Sequence, residues 1–454
     1  MTPLDSSIVS IALPSIASSL HIDFATTIWI PVSYLLFLSA LLLVFGRLAD
    51  IRGRRIPFIF GFALFTCASM LCAVSQTGIQ LIFFRSIQGL SAASMGATAP
   101  AIVTDVFPGR ERGKALGINT MAIYVGLSVG PTLGGFLVQN LGWRWIFFIN
   151  VPIGIFVVAL SLLKLKESAI LDKTKRFDLF GAGTFSAGLT ALLLVFTLGP
   201  SYGWMTFSIM SLFIVAAIAF VSFVLVEKRK GEEAMLDISL FSNNQLFAAA
   251  NLSALLNYTS FFGVTFLMSF YLQRIRGFEP AEAGLILLSM PLVMAVFSPA
   301  SGWLSDKFGS RLLSSAGMAL ICLALFTLST LTVDSSGFDV VIRLLVLGFG
   351  MGIFSSPNTS AVMGSVEKSK LSVAAGTLGT MRFTGQSMSL AVMGAVAATA
   401  ISSTILSDML VGLQIEVGTV MAGAFVEGIR RAFIVSGFIA AIGVATSLVR
   451  GKGN

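Results

Sequence analysis

A carboxylate that takes up and releases a proton, with a cation beside it, is minimal equipment for moving protons through an apolar interior. Of the chain's 21 Asp+Glu residues, Asp5 alone falls inside an apolar run. Asp23, Glu279, Glu282, Asp334, Asp339, Asp408, Glu416 and Glu427 border one set of loops, and the remaining twelve border the other. Arg85, Arg343 and Arg382 are the arginines within apolar runs. Arg85 sits near the centre of its run, where a charge is costly and must face protein or water. Arg343 lies near the start of its run, from where it can snorkel outward. Burial raises a carboxyl's proton affinity and a neighbouring cation lowers it, so Asp5 is the leading candidate for proton handling, with Arg85 as the buried cation that could tune it. Only four residues precede Asp5, and the competing reading is a simple helix N-cap.

Other reactive types offer less. Cys67, Cys72 and Cys322 sit in apolar runs without metal-ligand spacing and read as small buried hydrophobes. The single histidine, His21, ends the first helix. No nucleotide loop, metal cluster or nucleophile–base set is apparent, so an enzyme is not expected, nor a cofactor or metal. Asn-x-Ser/Thr matches at Asn251, Asn257 and Asn358 fall inside helical runs and read as chance.

The elements that must position these residues follow from composition. Of the 454 residues, 56% are hydrophobic and 11% charged, against about 25% charged in a soluble domain. The mean hydropathy is +0.93. Runs such as 56–75, 207–226 and 312–333 are apolar all round and carry few charges or none, as helices crossing lipid require. Barrel strands would alternate over about ten positions. Hydropathy predicts helices near 3–20, 27–49, 56–75, 78–104, 113–139, 145–163, 178–200, 205–226, 245–273, 281–304, 312–332, 340–363, 371–400 and 427–449, fourteen in all. The first run lacks a basic leader, so no cleavable signal peptide is expected.

The net charge of +8 has a topological explanation. With loops assigned alternately, one side holds only Arg144, Arg274, Arg276, Arg430 and Arg431. The three arginines within helices set aside, 21 of the 29 Lys+Arg remain for the other side. That bias places both termini in the cytoplasm of a multi-pass protein of the cell membrane. It also argues against nucleic acid as a partner.

An internal repeat organises the chain. Gly46-Arg-Leu-Ala-Asp50-Ile-Arg-Gly53-Arg54-Arg55 returns as Gly302-Trp-Leu-Ser-Asp306-Lys-Phe-Gly309-Ser-Arg311, an offset of 256 residues. Each copy follows the second helix of a six-helix half. The expected plan is a six-helix bundle over 1–165, two extra helices with cytoplasmic linkers over 166–236, and a second six-helix bundle over 237–454. Parallel halves of this kind carry substrate between them near the midplane.

Here the sequence resembles the major facilitator superfamily. The duplicated loop motif matches that superfamily's signature between its second and third helices. Phe84-Arg85-Ser-Ile-Gln88-Gly89 resembles its fourth-helix motif, and Gly126-Leu-Ser-Val-Gly130-Pro131-Thr-Leu-Gly134-Gly135 its antiporter-associated fifth-helix motif. Leu4-Asp5-Ser-Ser-Ile-Val-Ser-Ile-Ala-Leu-Pro14 and Trp143-Arg144-Trp-Ile-Phe-Phe-Ile-Asn150-Val-Pro152 resemble the fourteen-helix drug–proton antiporter branch. The resemblance implies an all-α polytopic membrane protein of the major facilitator fold. By the same resemblance, Asp50, Arg54 and Asp105 form a cytoplasmic latch, with Gly46, Gly53 and Asp306 in the loop motifs; solvated loop charge is the bland reading. It implies that Arg85 tunes or receives a proton, and that Arg382 belongs to a second-half motif in which Phe383 replaces the usual glutamine. It implies that Gly126, Gly130, Pro131, Gly134 and Gly135 seal the pathway against leak. Glycines four apart also lie on one helix face and allow close packing in lipid, with or without a coupling role.

The expected function is proton-coupled export of lipophilic cationic or neutral compounds by alternating access. Trp29, Tyr34, Tyr124, Tyr258 and Phe262, with Arg382, are the candidate substrate contacts, since flat side chains suit varied ligands. The partners expected are a small-molecule substrate, protons and the lipid bilayer, with the chain acting as a monomer. The alternative is a uniporter or symporter of a small metabolite with the same fold.

Overall fold

The computed structural model describes residues 1–106, 112–166, 178–230, 239–367, 371–399 and 419–450, and the regular structure among them is helical throughout. The first half runs α1 Thr2–Leu20, α2 Phe24–Arg52, α3 Arg55–Ala73, α4 Gly78–Val106, α5 Arg112–Leu141, α6 Trp145–Phe148 and α7 Asn150–Lys164. A hairpin of α8 Leu179–Tyr202 and α9 Phe207–Lys230 follows. The second half runs α10 Ser239–Ser242, α11 Gln245–Phe261, α12 Gly263–Phe270, a π-helical turn Tyr271–Ile275, α13 Pro280–Phe308, α14 Ser310–Leu328, α15 Gly337–Gly364, α16 Leu371–Ala398 and α17 Thr419–Leu448.

Among the described residues, ten helical segments are long and apolar enough to cross a membrane. Four further long helices, α1, α4, α5 and α16, carry Asp5, Arg85, the glycine series and Arg382. They are helices of 19 to 30 residues diluted by glycine, serine and threonine. Polarity is thus concentrated in the helices that bear the chemistry.

Local chemistry sets several ends. Asp23 caps α2 by accepting from the Thr26 N–H at 2.9 Å, and Ser336 caps α15 through the Asp339 N–H at 3.1 Å. Glu279 and Glu282 form a capping box at the head of α13. Two of the hydropathy runs prove discontinuous. The run at 145–163 breaks at Ile149, because Pro152 has no N–H for the Phe148 carbonyl. The run at 245–273 breaks at Phe262 and widens into the π-turn.

The two halves meet along α5 against α13 and along α16 against α2. A Cβ on Gly135 would stand 2.3 Å from the Pro280 carbonyl oxygen, and one on Gly284 would stand 2.3 Å from that of Pro131. The central hairpin lies across this seam, with α8 touching both α2 and α16. Leu36 and Leu43 of α2 pack with Phe185, Leu189 and Leu193 of α8 and Phe223 of α9. Ser186 donates to the Ala40 carbonyl at 2.9 Å. The open ends of the hairpin are pinned by Lys230 on Asp178 at 2.7 Å. Burial pushes the Asp178 carboxyl up, but Lys230 and the Gly181 amide outweigh it and hold the group below its ordinary range. On the outer side of α9, Phe213, Ile214, Ile218, Val221 and Leu225 are exposed, as a lipid-facing helix requires.

Candidate functional site

Asp5 lies one turn inside α1, whose N-cap is Met1, so the capping alternative is not the arrangement found. Its side chain is fully buried, and Arg85 of α4 is 1% exposed. Arg85 Nη1 stands 2.5 Å from Asp5 Oδ2 and 2.6 Å from Gln88 Oε1, so one guanidinium nitrogen bridges two acceptors. Asp5 Oδ1 accepts from Gln88 Nε2 and from Asn150 Nδ2, each at 3.1 Å. Gln88 Nε2 also donates to Ser69 Oγ at 2.8 Å. The Cys72 thiol faces Gln88 Oε1 at 3.8 Å. Five helices thus converge on one carboxylate: α1, α3, α4, α7 and, through the Ile30 carbonyl that accepts from Arg85 Nε at 3.4 Å, α2.

Aromatic rings close the cluster. The guanidinium lies 4.2 Å from the Tyr34 ring centroid and 5.9 Å from that of Phe147. These distances fit cation–π contact in a desolvated site. A charge buried at this depth persists only when it is paired and hydrogen-bonded, and Arg85 meets both conditions. A small void borders the cluster. It is lined by Ser6, Ser10, Pro31, Tyr34, Leu35 and Arg85 from the first half and by Phe262 from the second. The charged pair therefore sits beside the seam between halves.

The glycine series positions the helix that carries Asp5. A Cβ on Gly130 would stand 1.8 Å from Ser7 Oγ, and one on Gly134 would stand 2.6 Å from the Ile11 side chain. Gly126 approaches the Leu4 backbone at 3.3 Å by the same measure. One face of α5 is bare so that α1 can lie against it, while Pro131 and Gly135 turn to α13. Ser7 Oγ lies 3.3 Å from the Gly126 carbonyl, to which it donates across the contact.

The remaining sequence candidates divide. Tyr34 and Phe262 reach the void; Trp29 is half-buried against the core and does not line it. Arg382 lies 5.1 Å from the Tyr258 ring centroid and 5.7 Å from that of Phe383. Its Nε is buried without a hydrogen-bond partner among the described residues. Gly46 faces Ala97, and Gly53 ends α2 with φ 93°. Arg54 is 5% exposed and donates to the Ala101 carbonyl at 2.8 Å. The side chains of Asp50, Asp105, Tyr124 and Asp306 lie outside the described residues, and with them the carboxylates of the expected latch. Cys67 is exposed on α3 rather than buried. Cys72 is a member of the polar cluster, not an inert filler.

Gln88, Asn150, Ser69 and Cys72 complete the site: in the sequence Gln88 and Asn150 stand inside motifs without a role of their own, Cys72 reads as a small buried hydrophobe, and Ser69 carries no signal. Gln88 carried a usable signal, a polar group three residues after Arg85 and hence on the same helix face. Asn150 had none beyond its polarity, because its partner lies 145 residues away.

At the end of the bundle where α1 finishes, the halves are joined by polar contacts. Gln273 and Arg274 of the π-turn donate to the Ile11 and Pro14 carbonyls of α1 at 2.9 and 2.8 Å, and Arg274 also reaches Ser18. Phe24 packs on Phe266 and Phe270, with ring centroids 5.5 and 5.6 Å apart.

The Major Facilitator Superfamily family model matches residues 1–390 and 250–451. The riboflavin transporter RibZ of Clostridioides difficile is 32% identical over 383 residues, covering 84% of this chain and 82% of the relative. The multidrug transporter protein MdtP of Bacillus subtilis is 32% identical over 412 residues, covering 90% and 75%. Among solved structures, an inward-facing, unoccupied bacterial homolog of the human lysosomal transporter Spinster superposes with a TM-score of 0.72 at 17% identity. That match covers 99% of this chain and 93% of the other. The family match and the two helical halves agree: the chain belongs to the major facilitator superfamily.

Proposed function

We propose that this transporter couples proton movement to export of lipophilic compounds, cationic or neutral, by alternating access. The observation that carries the reading is the Asp5–Arg85 pair, fully enclosed beside the seam and bridged by amide groups. A proton arriving on Asp5 removes the charge that Arg85 compensates and frees the guanidinium toward Gln88 Oε1. Moving between the two arrangements is the kind of two-state element that a coupled carrier needs. Multidrug proteins among the relatives support an export role.

In this reading the fourteen long helical segments all span the bilayer, both termini are cytoplasmic, and one chain suffices for transport. The Gln273 and Arg274 contacts then form the outer closure. Asp50, Arg54 and Asp105 form the opposing cytoplasmic latch.

A second reading rests on a specific observation. Arg382 pairs with Tyr258 rather than with a carboxylate among the described residues, a setting suited to a flat polar solute. The relative named as a riboflavin transporter points the same way. Under it the protein is a uniporter or symporter of a small metabolite.

Proteoliposomes with an imposed pH gradient and a panel of cationic, neutral and anionic compounds separate the two. Export predicts substrate-dependent proton flux that Asp5→Asn abolishes. Flux that survives Asp5→Asn removes Asp5 from the mechanism, and transport indifferent to the gradient favours the metabolite reading.

A further inference from the structure

Asn150 stands at the helix break between α6 and α7, 1% exposed, in the Trp143–Pro152 segment. Its Nδ2 donates to Asp5 Oδ1 at 3.1 Å, while its Oδ1 is buried without a hydrogen-bond partner among the described residues. An unfilled buried acceptor is costly. Here it belongs to the amide that already touches the carboxylate. A carboxylate only accepts, but a protonated carboxyl must donate. The side chain beside Asp5 that holds an unused acceptor is therefore matched to the protonated acid as well as to the anion.

We infer that Asn150 is a positioning residue that follows the proton on Asp5. With Asp5 ionised, its amide N–H₂ donates to Oδ1. With Asp5 protonated, rotation about the terminal bond turns the Asn150 carbonyl to accept the new O–H. No bond is made or broken in Asn150; the proton that enters on Asp5 leaves from Asp5. Gln88 has no such freedom, because its Oε1 is engaged by Arg85 and its Nε2 by Asp5 and Ser69. The two amides divide the work: Gln88 keeps Arg85 in place through both states, and Asn150 changes its hydrogen bond between them. This rests on the proton-coupled reading of the same site.

The ionisable groups that bear on Asp5 are Arg85 of α4, Tyr34 of α2, Cys72 of α3 and the Met1 amino group at the head of α1. The α6–α7 segment brings no ionisable side chain before Lys164 at its far end. The sole contribution of α7 to the cluster is thus the amide.

The test compares Asn150→Leu and Asn150→Asp with the unsubstituted protein in proteoliposomes across pH 5.5 to 8.5. Aspartate matches asparagine in size and leucine shares its branching with more bulk, and neither can donate as the amide does. Ionised Asp5 loses one donor in each, so its proton is held more tightly. The expected result is an alkaline displacement of the transport midpoint by up to about one pH unit, the excess of a hydrogen bond to the charged carboxylate over one from the neutral acid. The maximal rate falls about tenfold, as for loss of one hydrogen bond that orients Asp5, while KM for substrate stays within about twofold. Infrared difference spectra add a readout that transport does not carry. The carboxylic C=O band of Asp5, identified by its loss in Asp5→Asn, moves to higher frequency in Asn150→Leu. A merely structural role lowers yield and rate but leaves midpoint and band in place, and that result overturns the inference. If Asp5→Asn itself retains proton-coupled transport, the underlying reading falls and this inference with it. If Asp5→Asn uncouples transport while both Asn150 variants keep the original midpoint, only the role of Asn150 falls.

Discussion

The two halves share one contact lattice and fill it with different chemistry. In the first, a Cβ on Gly89 would stand 2.2 Å from the Tyr34 carbonyl oxygen; in the second, one on Gly348 would stand 2.4 Å from that of Met290. Tyr34 and Met290 are separated by the same 256 residues as the two loop motifs. Counted from their first residues, Gly78 and Gly337, α4 and α15 also place Gly89 and Gly348 in register. At the same count Arg85 and Gln88 correspond to Leu344 and Leu347, both buried and apolar. The helix packing matches at these positions, while the Asp5–Arg85 ion pair of the first half has apolar residues at the equivalent places on α15. The lesson is that the lattice itself does not require charge, so the cost of burying Arg85 must be offset by what Arg85 does.

That contrast is broken most directly by making the first half resemble the second. Arg85→Leu leaves Asp5 buried without its cation, which costs about 3–5 kcal/mol when one member of an enclosed pair is removed. We expect proton-driven transport to fall by at least about 100-fold, with an earlier unfolding transition in detergent. Leu344→Met at the equivalent place keeps volume and polarity and should cost less than about 1.5 kcal/mol. Adding Asp5→Asn to Arg85→Leu removes the orphaned charge. The double variant should then recover most of the unfolding temperature but none of the proton coupling. Recovery of coupling would mean that the pair is structural.

The glycine seams differ in a second way. In the first half the bare positions are on α5, where Gly130 and Gly134 meet Ser7, Ile8 and Ile11 of α1. In the second half both partners carry bare positions: Gly385 of α16 meets the Leu255 carbonyl and Tyr258 of α11, and Gly263 of α12 meets the Met393 sulfur and the Ser389 carbonyl of α16. Methionine is unbranched and can swing aside, whereas Ser7 is a short side chain two residues from Asp5, with the Ile8 backbone behind it. Gly130→Ala should therefore overpack the seam at about 1–3 kcal/mol, displace Asp5 and reduce coupled transport by about tenfold. Gly263→Ala should change the rate by less than about threefold. Equal effects would show that α1 has no special need for placement.

Much of this was legible in the sequence. The loop repeat, the Gly126–Gly135 series and the positions of Asp5 and Arg85 required only residue types and spacing, because helices in lipid must satisfy their own backbone and leave few polar groups to explain. What was not legible depended on contacts between distant segments. Hydropathy reads 145–163 and 245–273 as single runs, since averaging hides a break at Ile149 or Phe262. Cys72 reads as filler until Gln88 is placed opposite it. The void needs both halves assembled before Phe262 can be seen to face Tyr34 and Trp29 to miss it.

The smallest expected effect tests whether the second half has any charge chemistry of its own. Arg382 occupies a half that lacks a buried carboxylate partner among its described residues, and its contacts are the faces of Tyr258 and Phe383. Such contacts contribute about 0.5–2 kcal/mol, far less than an enclosed ion pair. Arg382→Gln keeps a polar head on a shorter stem and removes the charge. If the second half supplies only recognition, KM should move by about three- to tenfold for one class of compound, and the pH midpoint should stay where Asp5 sets it. Anionic or flat polar solutes should lose affinity, and lipophilic cations should gain it as the repulsion disappears. A displaced pH midpoint would instead place Arg382 in the proton path and make the two halves chemically equivalent. The division of labour between a charged first half and a recognising second half therefore stands or falls on this variant's pH profile, independently of how strongly the affinity changes.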